Sequence, residues 1–391
     1  MVRSFTRNVA CFLAAVVLLA LLVCAAEVGL RAQRLRERLS GKPVTSVTLS
    51  SLIRQPSRTS YYEPQALLFL TAISESGQPV EIRTSEWGTR GDSPAVPKPR
   101  KTYRIVCLGG SDTFGGAFNE SDTFCSLLQT YLQTQTDVQV EVINAGTPEC
   151  GPLAQQLRLR NRLLPLQPDL IVMNLQGEEL AFDAEVRSSL RLDAEGHSAF
   201  SCHPKFTTHS NQLMDGLREE YAVADRVLKK APGMVAGGQL RSFSRDSAED
   251  LTLLTQPIRE AGGLARSMYA GFAVALVPDI WQIQPDGDHQ APGNLLRDAL
   301  APLSRDGELT VLDALPAFQR DQSPRTLFTS EGRLSREGHQ LYAGILARSI
   351  VQRFPGIWTG RTESTEFVPN EPDNSTPDWG QTVNQSAPFP R

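Results

Sequence analysis

Histidine is scarce in this sequence. The 391 residues contain five, His197, His203, His209, His289 and His339, none in a His-x-His or His-Glu-x-x-His spacing, and Cys-x-x-Cys pairs are missing too. A zinc centre needs three or four such ligands converging, so no metal site is predicted, and no cofactor. A surplus of positive charge is also lacking: 39 Lys and Arg against 43 Asp and Glu give a net charge of −4. Nucleic-acid binders carry a basic footprint, which excludes nucleic acid as a partner. Cysteine is thin for the length. Of six, Cys11 and Cys24 fall in an apolar amino-terminal run, and the remaining Cys107, Cys125, Cys150 and Cys202 are too few for a disulfide scaffold. Cys150 and Cys202 lie in turn-rich stretches and are the two expected to pair if the domain is exported, while Cys107 and Cys125 are expected as buried thiols.

What is present begins with a chain 40% hydrophobic and 21% charged, enough to bury a substantial core. Residues 9–26 are an uncharged run of Ala, Val, Leu, Phe and Cys behind Arg3 and Arg7. At 1.5 Å per residue such a run suits a hydrocarbon core of about 30 Å, so it reads as a transmembrane anchor or a signal peptide. Cys24-Ala25-Ala26 is a poor cleavage site and Val23 spoils a lipobox, which favours an uncleaved anchor over residues 9–30, behind a short basic tail at 1–8. Arg31, Arg34, Arg36 and Arg38 pull the following side toward the cytoplasm and the basic tail pulls the other way; the domain is expected to be exported, in a periplasmic or extracytoplasmic space. Residues 31–100 read as a stalk and lead-in, with a strand at 80–83, a turn at 86–91 and a Pro-Lys-Pro-Arg hinge at 97–100. Beyond 356 the composition turns to Pro, Ser, Thr, Asn and Glu, which cannot bury enough apolar surface to fold, so residues 357–391 are expected as a disordered tail.

Between these lies a domain at 101–356 that alternates strand and helix. Apolar runs predict strands at 103–108, 138–144 and 169–175 with helices at 123–134 and 153–164 between them, then a helix at 213–230, strands at 272–277 and 309–312, and a closing helix at 338–354. That order predicts a parallel α/β sheet. The organising stretch is 103–116, where an apolar run feeds Gly109-Gly110-Ser111-Asp112 and then Gly115-Gly116. Glycines there let the backbone turn tightly and leave Ser111 uncovered, as at a nucleophile turn.

Gly109-Gly110-Ser111-Asp112, Ile143-Asn144-Ala145-Gly146 and Glu331-Gly332-Arg333 with Gly338-His339 resemble, in order and spacing, the blocks of SGNH or GDSL-type hydrolases. The resemblance implies a three-layer α/β/α sandwich, flavodoxin-like, in which Ser111 is the nucleophile and the Ser111 and Gly146 N–H groups form an oxyanion hole. It also implies departures. The third block's Asn-Asp falls on Glu178-Glu179, so a carboxylate stands where an amide would donate, and Gln176 is the candidate replacement amide. The base histidine's place holds Arg333, which cannot accept a proton, and the acid's place holds Glu331, or Ser330 at three-residue spacing. His339 matches the structural histidine that opens the last helix; His203 or His209 would have to swing over Ser111 to replace the base. Two readings follow. One is a membrane-anchored domain with weak or absent hydrolysis, whose Arg333 and Glu178 pair and hold a ligand. The other is an active serine esterase or O-acyl hydrolase or transferase, with a small-molecule or carbohydrate ester as substrate and an unidentified base.

Overall fold

The computed structural model describes residues 17–18, 22–29, 46–74, 77–206, 248–283 and 292–358. The chain divides into two units, one of residues 1–43 and 204–239, the other of 44–203 and 240–391. In the first, residues 22–29 are helical. Most of the 9–26 run and the expected helix at 213–230 lie outside the described residues, as does the tail from 359. Among the described residues no helix is long and apolar enough to cross a membrane.

The second unit opens with α1 (Ser46–Ile53), the hairpin β1 (Arg54–Pro56) and β2 (Tyr62–Pro64), and a second hairpin, β3 (Phe69–Ile73) and β4 (Pro79–Arg83). Residues expected as a stalk are therefore built into the unit. Leu49, Ile53, Ala72, Val80 and Ile82 pack with Phe114, three residues beyond Ser111. Arg90 fastens the same segment, donating to Phe114 O at 2.8 Å, Gly115 O at 2.6 Å and Phe118 O.

The chain continues through β5 (Thr102–Gly109), α2 (Ser111–Phe114), α3 (Phe124–Gln133), β6 (Gln139–Gly146), α4 (Pro152–Arg158), β7 (Leu170–Leu175), α5 (Asp183–Ser188), and a small hairpin, β8 (Leu190–Leu192) and β9 (Ser198–Ser201). After the break come α6 (Ala248–Ser267), β10 (Gly271–Leu276), α7 (Ile280–Ile283), α8 (Pro292–Arg305), β11 (Thr310–Asp313), α9 (Leu315–Arg320) and α10 (Arg336–Arg353). Five strands form one sheet in the order β11-β10-β7-β5-β6, every neighbouring pair parallel.

Alternation along β5 explains the layers. Ile105 and Cys107 point to one face, where Phe124, Leu128 and Leu132 of α3 and Tyr342, Leu346 and Ile350 of α10 cover them. Val106 and Leu108 point to the other, under Leu254 and Ile258 of α6 and Leu296 and Leu300 of α8. Each of these aliphatic chains, fully buried, contributes about 1.5–3 kcal/mol. The result is three layers, α/β/α, with β7 at the centre of the sheet and β5 between β7 and the edge strand β6.

Strand order places the site. From β5 the chain steps out to β6 and then returns to β7 on the other side, and such a reversal opens a crevice at the strands' carboxyl ends. Ser111 leaves β5 at that crevice. The expected Cys150–Cys202 pair does not form, and both thiols are free. Cys150 is buried among Tyr61, Leu153 and Leu157 and directs its thiol to Gly151 O, whereas Cys202, past the end of β9, directs its own to His203 O.

Candidate functional site

Gly110 joins β5 to α2 and has no side chain for a reason visible in the packing: a Cβ there would sit 1.7 Å from Glu179 Oε1. The Glu179 carboxyl group lies against this backbone and accepts the Ser111 N–H at 2.8 Å. One expected oxyanion donor is thus occupied by the protein's own carboxyl group. The other expected donor is displaced. Gly146 N–H donates to Asn144 Oδ1 at 3.0 Å, and Gly146 is required because a Cβ would meet Phe114 N at 2.3 Å. Its part is close packing of β6 on α2.

The N–H that does face Ser111 belongs to Glu149, which donates to Ser111 Oγ at 3.1 Å. Glu149 sits in the β6–α4 loop at φ 52°, the left-handed region. Arg54 holds it there, bonding Glu149 Oε2 at 2.5 Å and Glu149 O at 3.3 Å while lying 4.5 Å over the Tyr62 ring. The turn Thr147-Pro148-Glu149 has no glycine to mark a left-handed position, so no sequence signal identified it.

Arg333 is presented by a tight turn in which Thr329 N–H donates to Arg333 O at 2.7 Å, and Phe328 bridges Leu334. Its guanidinium donates to Gln176 Oε1 at 2.9 Å and stands 4.0 Å from Glu178 Oε2. Gln176 therefore acts as an acceptor for Arg333. Neither Glu178 nor Gly146 lines the cavity beside Ser111. That cavity, about 230 Å³, is lined by Ser111, Asp112, Glu149, Glu331 and Arg333 on one side and by apolar residues of α1, β3 and β4 on the other. Glu331 is exposed and makes no ion pair or hydrogen bond among the described residues.

Electrostatics follow from burial. Glu179 is pushed up to about 8 by burial, against the pull of Arg333. Asp112 is also raised by burial, although Arg333 and the Leu334 N–H, at 3.1 Å from Asp112 Oδ1, favour its charge. Asp112 Oδ2 is buried with the Gln176 amide near it but no hydrogen bond of good geometry. For Arg333, burial works against the charge, but Asp112, Glu179, Glu178 and Glu149 together raise its pKa and hold it protonated.

Histidine contributes nothing to Ser111 among the described residues. Buried His339 accepts the Phe124 N–H on Nδ1 at 3.2 Å, and burial lowers it to about 3. His203 shares a hydrogen bond with Tyr62 OH at 3.0 Å. His209 lies outside the described residues. No group of three or more His, Cys, Asp and Glu among the described residues is placed to hold a metal ion.

No family model matches the sequence and no curated protein does. Solved structures similar to it include a lipase/acylhydrolase from Enterococcus faecalis, at 16% identity over 64% of this chain and 96% of that one, TM-score 0.39. An acetyl xylan esterase matches at 15% identity over 63% and 99%, TM-score 0.39. A member of the lipolytic G-D-S-L family from Veillonella parvula matches at 15% over 64% and 98%, TM-score 0.35. The sheet order and the serine leaving β5 define an open parallel α/β sandwich with Ser111 at the carboxyl edge of its sheet.

Proposed function

We propose that this domain keeps the SGNH pocket as a binding site and does not hydrolyse esters through a Ser–His–acid triad. One observation carries the reading: the only hydrogen-bond partner of Ser111 Oγ among the described residues is a backbone N–H, and the base's place is held by a guanidinium tied to Gln176 and Glu178. A donated N–H cannot take the Ser111 proton, and neither can an arginine. The oxyanion side supports the same reading. An oxyanion donor is worth about 3 kcal/mol in the transition state, and here the Ser111 N–H is satisfied by Glu179 before any substrate arrives. Loss of a base from a cooperating set lowers kcat by roughly 10⁶-fold.

The apolar run at residues 9–26 supports a domain tethered to a membrane and exported. The test of the chemistry is turnover of p-nitrophenyl acetate by the full chain and by Ser111→Ala. Equal rates are expected. A rate lost in Ser111→Ala would restore the esterase reading and direct attention to His209 as base.

A further inference from the structure

We infer that the cavity beside Ser111 holds the free carboxylate of a short aliphatic acid, with Arg333 as its anchor; this names the ligand of the binding site proposed above and rests on that reading. A guanidinium carries five N–H donors, and the bond from Arg333 Nη1 to Gln176 Oε1 is the one hydrogen bond its side chain makes among the described residues. Glu178 Oε2 stands 4.0 Å from Nη2, beyond hydrogen-bond reach. Nε and Nη2 are thus open donors, neither bonded nor sealed inside the protein. The hydroxyl that lines the cavity with Arg333 is a donor as well. Ser111 Oγ accepts the Glu149 N–H at 3.1 Å, and its own proton has no acceptor among the described residues.

A planar guanidinium and a hydroxyl match the two oxygens of a carboxylate, which accepts and never donates. The carboxyl groups nearby leave room for such an anion. Arg54 neutralises Glu149, and burial moves Asp112 and Glu179 toward their neutral forms. Glu331 is exposed, where water screens its repulsion, and Glu178 does not line the cavity. An ammonium would bring donors to donors and meet the guanidinium with like charge, and an alcohol would offer it a single neutral oxygen. The opposite wall sets the rest of the ligand. Leu49, Ile53, Ala72 and Val80 make it apolar, and a volume of about 230 Å³ allows a short stem and no more, below the roughly 300–1,000 Å³ of a drug-sized site. A hydrolase has to release such an acid as product, whereas an arginine at the base's place retains it.

The test is calorimetric titration at pH 7 of the full chain in zwitterionic nanodiscs, with empty nanodiscs as the blank, using hexanoate, hexanol and hexylammonium, three probes sharing one stem. Hexanoate is expected to bind most tightly and hexylammonium least. Arg333→Met keeps the length of the side chain and removes its donors; it is expected to weaken hexanoate about 10-fold or more and to leave hexanol within about 2-fold. Glu331→Gln, at an exposed position, is expected to leave hexanoate unchanged or to tighten it by up to about 3-fold. Hexanol or hexylammonium binding as tightly as hexanoate, hexanoate affinity untouched in a folded Arg333→Met or weakened in Glu331→Gln, or no saturable binding of any probe would overturn the inference. The ranking of the three probes on the native chain decides the matter even if Arg333→Met unfolds. Such a failure would leave the loss-of-hydrolysis reading standing, because that reading is decided by ester turnover at Ser111 and not by what the cavity holds.

Discussion

At Glu149 the backbone takes a left-handed conformation, which costs a non-glycine residue about 1–2 kcal/mol. Glu149→Gly and Glu149→Ala both remove the Arg54 pair, so their difference isolates the backbone. The glycine variant is expected to be about 1 kcal/mol more stable in urea denaturation, and equal stabilities would show that the loop relaxes. Glu179 gives a pH signature. Its pKa rises from the ordinary 4.5 to about 8 through burial, so the native state keeps a proton that the unfolded chain has lost. Stability from this group is complete below about 4.5 and declines as pH rises through 8. Glu179→Gln keeps an acceptor for the Ser111 N–H and removes the titration. The native protein should therefore lose stability relative to Glu179→Gln between pH 5 and 8.5, and a constant difference would contradict a buried, protonated Glu179. His339 has the opposite sign: held neutral by burial with a pKa near 3, it withdraws stability as pH falls below its usual 6.5. Arg333 was expected beside Glu178, and the structure puts its guanidinium 4.0 Å from Glu178 Oε2 and lining the cavity with Ser111. Gly146 was misread because spacing cannot say where an N–H points, and here it points to Asn144.

Elements were legible where one apolar pattern ran unbroken. The runs behind β5, β6, β7, β10 and β11 read as strands, within a residue or two of their bounds, and those of β5 and β7, inside the sheet, are buried on both faces. Helices α6 and α8 were not seen: each carries an internal proline, Pro257 and Pro302, that argues against a helix in sequence, and packing on the sheet outweighs it. Only β4 of its hairpin was expected, because β3 exposes Phe69 and Thr71 and lacks an alternating signal. The lead-in's role as a wall of the pocket was also hidden, since it depends on Arg90 reaching across to the loop after Ser111. Arg90→Ala removes the partner of three carbonyls and is expected to destabilise the unit by about 3 kcal/mol or more. Thermal unfolding would report it; a shift under about 0.5 kcal/mol would mean that water replaces the guanidinium.

For the whole molecule, the fold and the chemistry separate. Three layers and the strand order build a crevice at the strands' carboxyl ends, yet the charged groups lining it are carboxyls and a guanidinium, and the imidazole that lines it, His339, accepts the Phe124 N–H and makes no hydrogen bond to Ser111. Fold is set by many apolar positions and survives the exchange of a few polar ones, which is why the architecture was readable when the activity was not. Tethering is a separate prediction: intact mass of the mature protein should include residues 9–26, and a product beginning near Glu27 and recovered without detergent would rule the anchor out. The proposal that Ser111 has no base is tested most directly by a fluorophosphonate probe, which reports an activated serine without any choice of substrate. The full chain should show no more labelling than Ser111→Ala; labelling at Ser111 that the substitution abolishes would contradict the proposal and make this an enzyme.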